Sequence, residues 1–106
     1  MRNYQLEHQI CRAIKETKTL RIRYDRDTFW REFEPQALFI STADHVNVTG
    51  IQTEDKNKPQ KGRMREVRNF ELMKINAIEV MELVFQKDQS FNRNDRRFEN
   101  GLICSG

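Results

Sequence analysis

The strongest constraint on the fold lies between Arg68 and Phe85, in the run RNFELMKINAIEVMELVF. Two apolar segments of period two, Phe70 to Leu72 and Ile78 to Phe85, flank Met73, Ile75 and Asn76, which break the alternation as a turn does. The spacing predicts a strand, a tight turn and a second strand. In the second segment Ile78, Val80 and Val84 share one parity while Met81, Leu83 and Phe85 share the other. Both faces are therefore expected to be covered by the rest of the chain, as in a central strand.

With 106 residues there is material for one core and one domain. Apolar residues make up 37% and charged residues 33%, which excludes disorder and gives a modest core under a charged surface. No run approaches the roughly 20 apolar residues of a spanning helix. The N-terminal MRNYQLEHQICR lacks an apolar export segment, so neither membrane insertion nor secretion is expected, and the compartment expected is the cytoplasm. There Cys11 and Cys104 are expected as free thiols, since a bridge between them requires the tail to fold back. A net charge of +3 is only mildly basic, so the placement of charge must indicate the partner.

Asn3 is placed to cap a helix in which Leu6, Ile10, Ala13 and Ile14 form an apolar stripe, ending near Thr17. Glu7, Arg12, Lys15 and Glu16 are assigned to its solvated face. Leu20 to Tyr24 alternates as a half-buried strand, with Arg21 and Arg23 on the other side, and Asp25 to Thr28 reads as a loop. Phe29 to Phe33 is a second strand that Pro35 should end or confine to an edge. Ala37 to Ile40 and His45 to Gln52 read as two further strands about a turn at Ser41 to Asp44. Polar Thr53 to Arg63 reads as a mobile hairpin loop. Residues 1–87 thus form the expected domain. Residues 88–106 are an extension, flexible or docked through Phe91, Phe98, Leu102 and Ile103. One helix followed by five or six hairpin-connected strands predicts a mainly β fold with one N-terminal helix, a small curled antiparallel sheet or barrel.

Arg68, Phe70, Leu72, Lys74 and Ile75 fall in register on a known signature: arginine, any residue, phenylalanine, arginine, leucine, aspartate, arginine, isoleucine, then an apolar strand. On these residues the chain resembles the WYL domain family, with lysine for the last arginine, Glu71 where the family has a basic or polar residue, and Met73 where it usually has aspartate. Arg31 to Pro35 followed by Ala37, Leu38 and Phe39 resembles a second family segment. His45, Val46 and Asn47 stand in place of the tryptophan, tyrosine and leucine that name the family. The resemblance spans roughly Leu6 to Lys87 and implies a small Sm-like barrel of the SH3 type. It further implies a ligand-sensing module of the kind attached to DNA-binding domains in bacterial transcriptional regulators, binding nucleic acid or a nucleotide-like ligand through a basic groove. Carried over by position, it nominates Arg31, Arg68 and Lys74, with His45 and Asn47 at the naming triplet.

From the residues themselves, Arg21, Arg23, Arg31, Arg68 and Lys74, with Trp30 as an aromatic plane, make a mix suited to a nucleotide or to single-stranded nucleic acid. The interleaved Glu32, Glu34, Glu66, Glu71, Glu79 and Glu82 offer the same cations cross-strand ion pairs on a solvated sheet, so both readings stand. The tail adds Arg93, Arg96 and Arg97 between two phenylalanines. No catalytic constellation, cofactor or metal site is expected. His8 and Cys11 supply at most half a metal site, and the sequon at Asn47 has no meaning in the cytoplasm. The alternative to a ligand-sensing module is a structural or protein-interaction module that forms a homodimer or docks a regulatory partner through an open strand edge.

Overall fold

The computed structural model describes residues 2–59 and 62–106. Its single α-helix, α1 (Tyr4–Glu16), begins where the Asn3 side-chain oxygen accepts the Leu6 N–H at 3.0 Å. It ends where Thr17 turns left-handed (φ 53°) and donates its N–H to Ala13 and Ile14. Ile10, Ala13 and Ile14 are buried, each isoleucine contributing roughly 1.5–3 kcal/mol by leaving water. Glu7 is also buried, which corrects its assignment to the solvated face. It stands three residues before Ile10 and seven before Ile14, on the apolar stripe, where Arg2 neutralises it.

Six strands follow: β1 (Lys18–Tyr24), β2 (Arg31–Ile40), β3 (Val46–Asp55), β4 (Glu66–Glu71), β5 (Ile75–Val84) and β6 (Leu102–Ser105). They form one antiparallel sheet in the order β4-β3-β2-β1-β5, with β6 added to β2. A 3₁₀ turn, Leu72–Lys74, joins β4 to β5, so 68–85 is strand, turn, strand as expected, with the turn placed earlier: Leu72 belongs to it, and Ile75 and Asn76 open β5. These two strands sit at the ends of the order and do not pair with each other, leaving the sheet open. The expectation of a central strand at 78–85 is therefore overturned: among the described residues β5 pairs with β1 alone, and Val80, Leu83 and Val84 are exposed. Nothing in a period-two apolar pattern states which element supplies the cover.

The middle of the sheet is β2, one strand where the sequence suggested two. Its first half pairs with β1 from Arg31 to Phe33, its second half with β6 from Ala37 to Phe39, and its whole length with β3. Pro35 lies between the two partners, at a register shift, where its missing N–H is not required. Opposite it stands Gly50, where an added Cβ would lie 2.2 Å from the Glu34 carbonyl oxygen and 2.7 Å from the Phe33 ring. Only glycine lets the two strands approach so closely.

The core joins Ile10 and Ile14 of α1 to Leu20, Ile22, Phe33 and Phe70 of the sheet. The Phe70 ring lies 4.9 Å from Phe33 and 4.8 Å from Tyr24. A second cluster covers the other face of β2, where Phe98 and Leu102 of the tail pack on Ala37 and Phe39. This arrangement sets Cys104 of β6 beside Cys11 of α1, and the two form a disulfide, Cα atoms 5.9 Å apart. The expectation of free thiols, and with it the half metal site at His8 and Cys11, is thereby corrected. The tail does fold back, because β2 has an edge beyond β1 that β6 fills. The loop expected at 53–63 is shorter, since β3 runs to Asp55, and its residues 60 and 61 lie outside those described. Among the described residues no helix is long and apolar enough to cross a membrane.

Candidate functional site

The eight nominated residues do not form one groove. Arg21 and Arg23 alternate with the buried Leu20 and Ile22 and point away from the core. Arg21 pairs with Glu79 at 3.4 Å, and the Arg23 guanidinium lies 4.5 Å from the centre of the Trp30 ring. Arg68 on the outer strand β4 reaches Glu66 at 3.0 Å.

Arg31 faces inward instead. Its Nε and Nη2 donate to the two oxygens of Asp27 at 2.7 and 3.0 Å, and its Nη1 donates to Gln52 at 3.2 Å. The guanidinium also lies 5.5 Å from the Phe70 ring centre. Partial burial works against the ionised form of Asp27. The forked bond from Arg31, the Tyr24 N–H and the Arg31 charge outweigh it and hold the carboxyl below the usual range. The same bond raises Arg31. Three of the five N–H groups of Arg31 are thus engaged by Asp27 and Gln52, which ties the guanidinium to the fold. Nearby Glu32 is pushed up, first by burial and then by Glu54 facing it across the ladder.

Three nominated residues do meet, around Glu71. Asn47 stands opposite Glu71 in the β3–β4 ladder, the His45 ring contacts the Glu71 carboxylate through Nδ1, and Lys74 approaches it at 3.6 Å. Tyr24 fixes the group from below by accepting the Glu71 N–H with its hydroxyl at 3.1 Å. Glu71, which departs from the family signature, is thus the residue on which the others converge.

Beside this cluster opens a cavity of about 630 Å³. Leu6, Val46, Leu72, Met73 and Ile75 give it apolar walls, and Arg2, Asp44 and His45 bring polar groups to it. Four local structures set these positions: the first turn of α1, the β2–β3 turn, the start of β3 and the 3₁₀ turn before β5. The β2–β3 turn is tied by the Ser41 N–H to the His45 carbonyl at 2.8 Å and the Asp44 N–H to the Ser41 carbonyl at 2.9 Å. Arg2 grips Glu7 with Nε and Nη2 at 3.0 and 2.6 Å.

Sequence reasoning passed over Arg2, Asp44 and Leu72 as cavity residues. The one signal available was Glu7, a carboxylate on the apolar stripe that required a nearby cation. Among the described residues no group of three or more histidine, cysteine or acidic side chains is placed to hold a metal ion. Compared with known proteins, the chain matches no family model, no curated protein and no solved structure.

Proposed function

We propose that the chain is a non-enzymatic, WYL-like ligand-binding module, and that its ligand is small and nucleotide-like, received in the cavity beside Glu71. One observation carries this reading. Residues 45–47 and 70–75, far apart in sequence and both singled out by the family resemblance, come together beside an apolar cavity with polar groups on its rim. A planar heterocyclic body fits between Leu6, Val46, Leu72 and Ile75, with the free edge of His45 offering it a hydrogen bond. With Arg2 spent on Glu7, the first turn of α1 supplies the positive end for an anionic group. A long nucleic acid is the weaker form of the reading, because Arg21, Arg31, Arg68 and Lys74 each face a carboxylate.

A small Sm-like barrel is the closed form of the observed strand order and belongs to the same proposal. So does the regulatory role. A cytoplasmic location would keep Cys11 and Cys104 reduced, leaving β6 held by its ladder and its apolar contacts alone; oxidising surroundings keep the bridge closed.

Titration of nucleoside monophosphates and of short single-stranded RNA into isotope-labelled protein tests the reading. Resonances of Leu6, Val46 and Met73 are expected to shift on adding mononucleotides, with shallow salt dependence, and His45→Ala to weaken binding about tenfold. Shifts confined to Arg21, Arg23 and Trp30, with a steep salt dependence, would replace the cavity by a polyanion surface.

A further inference from the structure

We infer that the edge of β2 under β6 is a strand-acceptor site that the Cys11–Cys104 bridge keeps occupied by the chain's own tail, and that reduction opens it to β6 of a second copy. The inference does not rest on the cavity reading.

Two observations separate the tail from the rest of the sheet. The five strands β1 to β5 form a continuous path without β6, which lies off that path and touches the sheet only through β2. All four residues of β6 are only partly buried, and its register with β2 slips between Leu38 and Phe39. A segment with so short a ladder and so little buried surface belongs to the low end of local stability. The acceptor is the opposite case. Ala37, Leu38 and Phe39 are among the most buried residues of the molecule. With β6 and Phe98 gone, they would present an unpaired edge and an exposed phenylalanine, the combination that recruits another strand.

The occupant is specified by the one already seen. It is an extended strand with the sequence Leu102–Ser105, with an upstream phenylalanine for the surface of Phe39. Residues 86–101 form a connection without a strand of their own, long enough to let the segment reach a neighbouring molecule. Holding Cys104 to Cys11 makes return of β6 to its own β2 far faster than capture of another copy's strand. Reduction removes that advantage. A dithiol reductant attacks the bridge through a mixed disulfide and ends as its own disulfide. Two electrons and two protons pass to the protein, leaving Cys11 and Cys104 as thiols.

Amide exchange of the full chain, oxidised and under a dithiol reductant, is paired with anisotropy of a labelled peptide of residues 98–106 with Cys104→Ser. In the reduced chain the amides of Leu102–Ser105 are expected to exchange at least tenfold faster while those of β1 and β3 keep their protection. The peptide is expected to bind the reduced chain and not the oxidised one, and concentrated reduced protein to form a dimer. Equal protection of β6 in both states overturns the gate. Fast-exchanging β6 without peptide binding overturns the acceptor site. Global unfolding on reduction, seen as loss of protection throughout the sheet, makes the bridge a staple and ends the proposal. The double variant Cys11→Ser, Cys104→Ser repeats the measurement without reductant.

Discussion

The second half of β2 and the second half of β5 look alike as sequence and behave as opposites in the fold. Ala37–Ile40 and Ile78–Val84 both carry apolar residues on both parities. In β2 both faces are covered: the core lies on one side of Leu38, and Phe98 with Leu102 covers Ala37 and Phe39 on the other. In β5 the same kind of pattern is left half in water, with Val84 59% exposed. Apolar parity measures what a strand is able to bury. Its neighbours decide what it does bury, and here a tail distant in sequence serves one strand and not the other.

The contrast is most directly broken at Phe39. Removing the ring in Phe39→Ala should cost about 3–5 kcal/mol, read from urea unfolding, because it leaves a cavity against Phe98 and loosens the tail together with the strand. A loss below about 1 kcal/mol would mean that the tail cover is superficial.

Opening the bridge in the double cysteine-to-serine variant should cost about 2–4 kcal/mol, since residues 93 apart are no longer joined in the unfolded chain. Comparing this variant with Phe39→Ala separates the covalent from the apolar contribution to the covered face.

The other end of β2 is fastened by charge. Asp27→Asn leaves Arg31 without its forked partner and should cost roughly 1–3 kcal/mol at neutral pH. Because the folded chain holds Asp27 below its ordinary value, this stabilisation is present above the unfolded value of about 3.9 and is lost as pH falls through the lower folded one. Urea midpoints from pH 6 down to pH 2 should therefore fall less steeply in the variant than in the parent protein.

Val84→Ser supplies the smallest effect. At an exposed position of an edge strand it should change stability by no more than about 0.5 kcal/mol in dilute solution. A larger loss would show that β5 has a partner after all.

Much of the architecture was legible because local chemistry alone decides it. Asn3 capping Leu6, the stripe of Ile10, Ala13 and Ile14, the alternation of β1 and the turn at Leu72–Lys74 all depend on near neighbours. What escaped depends on distant ones. Pro35 reads as a strand end until the gap between β1 and β6 is seen, and the cysteines read as thiols until β6 is placed beside α1. At the site, the sequence places Lys74 with the basic-groove cations and His45 and Asn47 at the naming triplet, without showing what joins them. Their common partner Glu71 was counted only as a departure from a signature and a competing charge. The partners of Arg31 are hidden for the same reason, since Asp27 and Gln52 meet it from a loop and from β3.

The covalent link between the two ends also determines how the molecule responds to being pulled. Force applied at the termini would pass from α1 to β6 through two sulfur atoms and bypass the sheet. The 93-residue separation inside is stored length, roughly 300 Å when extended at about 3.4 Å per residue, and a reductant would release it as a single additional step in a stretching trace.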